Sequence, residues 1–329
     1  MSLTVAPGAS IGLFLTKQEG PLRPLREEGL LSLIGTSQDG RRARTCFRPF
    51  SSSLFAAIFL FILACLLPSG LLAADAAAIA WGEYLVTIGI CASCHSPKDA
   101  EGKIVPGKHL SGGQRVGGLL ASNLTSDIET GLGAWTDEQI IASIRNGIRP
   151  DGAPVRPPMG TFFYRDLSDV DVKAIVAYLR TVPAIKNPVE RIGAQRSATS
   201  LDPVSAVAEI DPTNKLARGR YLAVTVSHCF QCHTPRINGL PDLKRLGAGG
   251  NTYTARGGGT VVASNITPAQ LGSWSDDQIK AAITKGVRPD GGQLVGVMDF
   301  SMYARMDPED LSALVAYLRS LPPMETSAP

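Results

Sequence analysis

The chain is short of net charge, of histidine and of long apolar runs, and each shortage removes a class of function. Of its 32 Lys and Arg and 29 Asp and Glu, residues 1–74 hold 7 and 4, so the remainder carries 25 of each. A neutral remainder lacks the concentrated basic face that a nucleic-acid-binding surface needs. The most apolar run, Leu54 to Leu67, is closed by Pro68 and Gly70, and its uninterrupted part falls short of the ~20 residues that span a bilayer. With four histidines in all, any pair of centres using two histidines each would consume every one. What is present is the composition of folded protein, 44% hydrophobic and 19% charged, and 329 residues suffice for two ordinary domains.

The N-terminal part reads as a targeting segment. Arg41, Arg42, Arg44 and Arg48 precede the apolar run, and the small residues Ala73, Ala74, Ala76 and Ala77 follow it. Residues 1–76 are therefore expected to be an extension with a signal peptide or membrane anchor, and cleavage near Ala74 or Ala76 is favoured over retention. A lipid-attachment reading of Cys65 is disfavoured because the chain stays apolar after it.

Beyond residue 78 the sequence is written twice. Gly82, Tyr84 and Leu85 lead into Cys91-Ala-Ser-Cys94-His95 as Gly219, Tyr221 and Leu222 lead into Cys229-Phe-Gln-Cys232-His233. Ser122-Asn123-Leu124-Thr125 answers Ser264-Asn265-Ile266-Thr267, and Trp135 answers Trp274. Arg149-Pro150-Asp151-Gly152 answers Arg288-Pro289-Asp290-Gly291, and Val176-Ala177-Tyr178-Leu179-Arg180 answers Val315-Ala316-Tyr317-Leu318-Arg319. The expected units are a first domain at 77–183, a linker at 184–214 without sustained periodicity, and a second domain at 215–324.

Each copy is expected to be all-α. Thr136 and Ser275, with Gln139 and Gln278 three residues on, have capping-box spacing, and Gly147 and Gly286 supply left-handed stops. The last helix starts after Ser168 in one copy and at Asp307-Pro308 in the other. Val172, Ile175, Val176 and Leu179 then give it one buried face. The glycine-rich stretches around Gly112 and Gly257 are expected to be loops. Gly82, Tyr84 and Tyr178 fit a close helix crossing filled by an aromatic.

The chemistry rests on two Cys-x-x-Cys-His motifs, the signature of c-type haem attachment. Two thiols at this spacing reach both vinyl groups of one porphyrin edge, and the adjacent histidine faces the iron. Cys91, Cys94 and His95 would hold one haem, and Cys229, Cys232 and His233 the other, with His95 and His233 on the metal. Zinc would need four ligands gathered together, a thioredoxin-like pair would need an alternating β/α frame, and a plain disulfide leaves the histidine unexplained. Met159 is the only methionine between residues 75 and 214, and Met298 stands at the same distance beyond its Arg-Pro-Asp-Gly turn. These two are the candidate sixth ligands, while Met302 and Met306 are out of register and fit packing roles. His/Met ligation raises the haem potential. His109 and His228 are taken as a loop residue and a haem-adjacent residue. Trp135 and Trp274 fit either haem propionates or the core, and Arg149 and Arg288 fit either propionate pairing or their turn.

With those residues in view, residues 79–322 resemble the cytochrome c subunits of bacterial membrane-bound alcohol, gluconate and aldehyde dehydrogenases. The resemblance implies two tandem class I cytochrome c domains with long loops around covalently bound haems. It also implies a periplasmic electron carrier, soluble or anchored to the inner membrane, that takes electrons from a dehydrogenase and passes them to quinone or a terminal oxidase. Those subunits usually carry three haem motifs, and this sequence has two. The rival reading is a dihaem redox enzyme, of peroxidase or thiosulfate-oxidising type, with one open haem; a methionine in both copies argues against it.

Overall fold

A computed structural model describes residues 69–190, 202–255, 258–294 and 297–326, with side chains only from Asp75 onward in the first helix. The segment expected to serve as a signal peptide or anchor lies, as far as residue 68, outside them. All described residues belong to one compact unit spanning residues 60–329, in which the two repeats pack on each other.

The first repeat runs through α1 (Ser69–Ile88), α2 (Cys91–His95), the hairpin β1 (Arg115–Val116) and β2 (Leu119–Leu120), α3 (Asp137–Arg145), α4 (Thr161–Tyr164) and α5 (Asp169–Thr181). The second repeats this plan. It comprises α6 (Lys215–Tyr221), a π-helical turn at Leu222–Val226, α7 (Cys229–His233) and the hairpin β3 (Arg236–Ile237) and β4 (Leu240–Pro241). There follow β5 (Thr252–Thr254) paired with β6 (Thr260–Val262), α8 (Pro268–Leu271), α9 (Asp276–Lys285), α10 (Phe300–Tyr303) and α11 (Pro308–Ser320).

The helix boundaries follow the local chemistry. Thr136 and Ser275 form complete capping boxes with Gln139 and Gln278, which satisfies amides that a helix start otherwise leaves orphaned. Gly147 and Gly286 take φ of +65° and +66° just past the helix ends. The first and last helices of each repeat cross where α1 meets α5 and α6 meets α11. A Cβ on Gly82 would overlap the Ala174 carbonyl, and one on Gly219 the Ala313 carbonyl, so glycine is what permits the crossing. Val172, Val176 and Leu179 on α5 and Leu314, Val315 and Leu318 on α11 are buried there.

The expected plain loops hold short hairpins: β1–β2 follows Gly112, and β5–β6 flanks Gly257, which itself lies outside the described residues. Gly117-Gly118 and Asn238-Gly239 both have positive φ at two successive residues, the backbone of a two-residue hairpin turn that Asn-Gly and Gly-Gly favour. The described part of the linker lies along the first repeat: Asp169 N–H donates to the Val207 carbonyl at 2.9 Å and Val204 N–H to Asn146 Oδ1 at 2.9 Å.

The stretches that lead into the two motifs differ in length by one residue. Cys91 lies nine positions after Gly82, whereas Cys229 lies ten after Gly219. The extra residue is absorbed in the π-helical turn, which widens the helix locally and restores the register of the motif.

Candidate haem sites

Each attachment helix is launched by a residue in the left-handed region, Ile90 at φ +50° and His228 at +37°. The chain therefore turns sharply between the first helix and the first cysteine. The four thiols of the two motifs form no disulfide. Until haem is attached, burial pushes the Cys91 and Cys229 thiols up to about 12, with Cys94 or Cys232 adding to it, and so keeps both neutral.

The histidines are oriented by backbone. His95 Nδ1 lies 2.8 Å from the Ser122 carbonyl and His233 Nδ1 2.7 Å from the Ser264 carbonyl. A carbonyl only accepts, so the proton sits on Nδ1 and the Nε2 lone pair is left for a metal. Burial holds both imidazoles below their ordinary range, against the opposing pull of those carbonyls, and so keeps them in the neutral, ligating form.

The Ser-Asn-x-Thr segments, evident in the sequence only as repeat landmarks, are what present these carbonyls. Asn123 Oδ1 accepts from Thr125 N–H and Oγ1 at 2.9 and 2.8 Å, and Asn265 Oδ1 from Thr267 at 2.8 and 2.7 Å. All four residues are buried. Gly112 and Gly249 bind the histidine carbonyls from the other side, at 2.7 and 2.9 Å. Both have positive φ, and a Cβ on either would come within 2.5 Å of the facing backbone.

Met159 and Met298 are half-buried against the core, immediately before α4 and α10. Five residues beyond each, a tyrosine ties the methionine side to the cysteine side. Tyr164 donates to the Gly89 carbonyl at 3.1 Å and Tyr303 to the Ser227 carbonyl at 3.3 Å, both two residues before the first cysteine. Met306 lies in the core and Met302 packs against it. His109 is exposed and reaches the Tyr178 hydroxyl at 3.3 Å. Both Arg-Pro-Asp-Gly segments form turns, with Gly152 N–H and Gly291 N–H each 2.9 Å from the arginine carbonyl. Arg149 stacks over Trp135 at 5.2 Å.

The first motif borders the second repeat: Lys98 Nζ bridges Ser93, which lies between the motif's two cysteines, and Asp299. Reciprocal contacts close the interface. Tyr84 donates to Asp310 at 2.7 Å and Tyr221 to Asp171 at 2.5 Å, and the same hydroxyls accept from Asp307 N–H and Ser168 N–H. Gln231, inside the second motif, donates to the Pro158 carbonyl at 2.6 Å, and Lys98 pairs with Asp299 at 3.4 Å. None of these cross-repeat partners has a signal in the local sequence. Among the described residues, no three His, Cys, Asp or Glu side chains gather as one closed metal site would require. The donor sets instead fit two separate haems, each with paired thiols and an oriented neutral histidine.

Comparison with known proteins agrees with this arrangement. The family model described as cytochrome c oxidase, cbb3-type, subunit III matches residues 77–179, and the cytochrome c model matches 216–322. A dihaem cytochrome c-type protein of Cereibacter sphaeroides is 33% identical, over 74% of this chain and 86% of its own length. The cytochrome c subunit of a quinone alcohol dehydrogenase from Gluconobacter oxydans is 32% identical, over 76% of this chain and 56% of its own. The fructose dehydrogenase cytochrome subunit of Gluconobacter japonicus is also 32% identical, over 74% of this chain and 52% of its own. The chain thus spans only about half the length of those dehydrogenase subunits. With two cytochrome c domains and a relative matched over most of its length, the chain belongs to the dihaem c-type cytochromes and carries two covalently bound haem c groups.

Proposed function

We propose that this protein is an exported electron-transfer cytochrome that takes electrons from a partner dehydrogenase and delivers them to quinone or a terminal oxidase on the periplasmic side. In this reading it is soluble or held at the inner membrane by its N-terminal segment. Two class I cytochrome c domains occupy 77–183 and 215–324. Cys91, Cys94 and His95 would hold the first haem and Cys229, Cys232 and His233 the second, with Met159 and Met298 the candidate further ligands of the two irons. Haem iron supplies the chemistry, a reversible one-electron change.

The protein's own residues keep that change reversible. The observation that carries the reading is the matched hydrogen bond from each histidine Nδ1 to a buried-turn carbonyl, which fixes tautomer and ring orientation without exposing a catalytic group. Tyr164 and Tyr303, buried and held far above the ordinary phenol range chiefly by that burial, stay neutral donors. They hold the methionine side shut against water.

The test is a spectrum of the resting oxidised protein with cyanide added. Both haems low-spin and slow to bind cyanide is the expected result. One high-spin haem that binds cyanide or peroxide at once would replace the carrier with the dihaem enzyme reading. Mixing with a quinone-linked dehydrogenase should reduce both haems; failure to reduce either would remove the proposed partner class.

A further inference from the structure

The residues after the two methionines are not equivalent. Gly160 follows Met159 and Asp299 follows Met298. In the first repeat the methionine loop is fastened through its backbone, by Gln231 of the second repeat donating to the Pro158 carbonyl at 2.6 Å. At the next position a Cβ on Gly160 would lie 2.6 Å from Gln231 Oε1, so a side chain there would have to displace the Gln231 amide.

In the second repeat the loop is fastened by charge. The Lys98 ammonium, on the first repeat just past the attachment helix, donates to Asp299 Oδ2 at 3.4 Å and to Ser93 Oγ at 3.0 Å. Ser93 sits between the two cysteines of the first motif, and Ser301 Oγ supports the other carboxylate oxygen at 3.1 Å. The Lys98 and Asp299 side chains are only 10% and 14% exposed, so water does little to screen the pair.

We propose that Asp299 is a positioning residue: anchored by Lys98 of the other repeat, it holds the adjacent Met298 in place, so that docking of the two repeats sets how firmly the second iron keeps its sulfur ligand. This rests on the reading of Met298 as that ligand. A rigid anchor one residue from a flexible thioether removes conformations in which the sulfur swings away, as supporting contacts do for other bound ligands. The first haem, with glycine at the matching position, has no such dependence on charge.

The test uses the full holoprotein and the sulfur-to-iron charge-transfer absorption, together with imidazole titration. A Met159→Ala background leaves Met298 as the only source of that absorption. There, Asp299→Ala and Lys98→Met should each remove at least half of it and tighten imidazole binding about tenfold. Asp299→Asn, which keeps the volume and can still accept from Ser301, should lose less. In a Met298→Ala background, which isolates Met159, the same substitutions should change nothing.

Unchanged absorption and imidazole affinity in both Asp299→Ala and Lys98→Met would overturn the inference. Equal losses in the two backgrounds would also overturn it, because they would indicate general loosening. If Asp299→Ala does not fold, Asp299→Asn and Lys98→Met decide. Absorption that persists in Met298→Ala within the Met159→Ala background would instead defeat the ligand reading. Loss there, with no loss on substituting Asp299 or Lys98, would defeat only the positioning role.

Discussion

Set side by side, the two repeats agree where they handle the haem and diverge where they handle each other. The tautomer-fixing carbonyl, the Asn-Thr turn beneath it, the left-handed residue before the first cysteine and the tying tyrosine are all present twice. At the seam the equivalents differ in kind. Trp81 donates to Asp171 at 2.6 Å, while its counterpart Arg218 makes two 2.8 Å bonds to Asp310 and stacks over Trp81 at 5.2 Å. A duplicated domain can keep its chemistry symmetric while its docking face becomes one-sided, since each seam position has to complement a surface other than its own.

The symmetric part can be broken most severely at the thiols. Replacing Cys91 and Cys94 together by alanine, or Cys229 and Cys232 together, should in either case halve the haem measured per chain by pyridine haemochrome absorbance. A pair whose loss removed both haems would show that the halves do not mature independently.

Next in size is the seam. Asp310→Ala strands the largely buried Arg218 and should destabilise the protein by about 3 kcal/mol or more in denaturant titration. Asp171→Ala removes two neutral donors' partner and should cost about 1–3 kcal/mol. Equal losses would erase the proposed asymmetry of charge.

The residue before each first cysteine sharpens the contrast through pH. Burial pushes His228 down to about 4, whereas the matching Ile90 cannot titrate. Between about pH 6.5 and 4 the unfolded chain takes up a proton that the folded protein refuses, so stability is full above that window and declines as pH falls through it. The loss is about 3 kcal/mol. His228→Asn should flatten this part of the stability profile; a profile unchanged by that substitution would show that His228 is not the group responsible. The smallest effect belongs to Gln231→Ala, about 1 kcal/mol for the lost bond to the Pro158 carbonyl, read as a small drop in melting temperature.

Much of this architecture was legible beforehand because it is local. Thr136 with Gln139, Ser275 with Gln278, and Gly147 and Gly286 carry their helix boundaries within a few residues. Gly82 announced a close crossing, Gly219 repeats it in the second copy, and the structure supplies the carbonyls they meet. The hairpins had a readable signal in Gly117-Gly118 and Asn238-Gly239, but strands of two residues carry no alternation to go with it. The role of Ser122 and Ser264 could not be read from side-chain type, since it is their carbonyls that act. Lys98 with Asp299 and Tyr84 with Asp310 were out of reach for a different reason: the partners are separated by 201 and 226 residues, and only docking brings them together.

That last separation also sets an order of events. As the chain grows from its N-terminus, the first motif and its carbonyl partner are complete long before Asp310 exists to receive the Tyr84 hydroxyl. The helix that leads into the first motif thus lacks its seam partners until the C-terminal helix of the second repeat has been made. The seam closes only when the final helix arrives, so the last segment made finishes the first domain as well as its own.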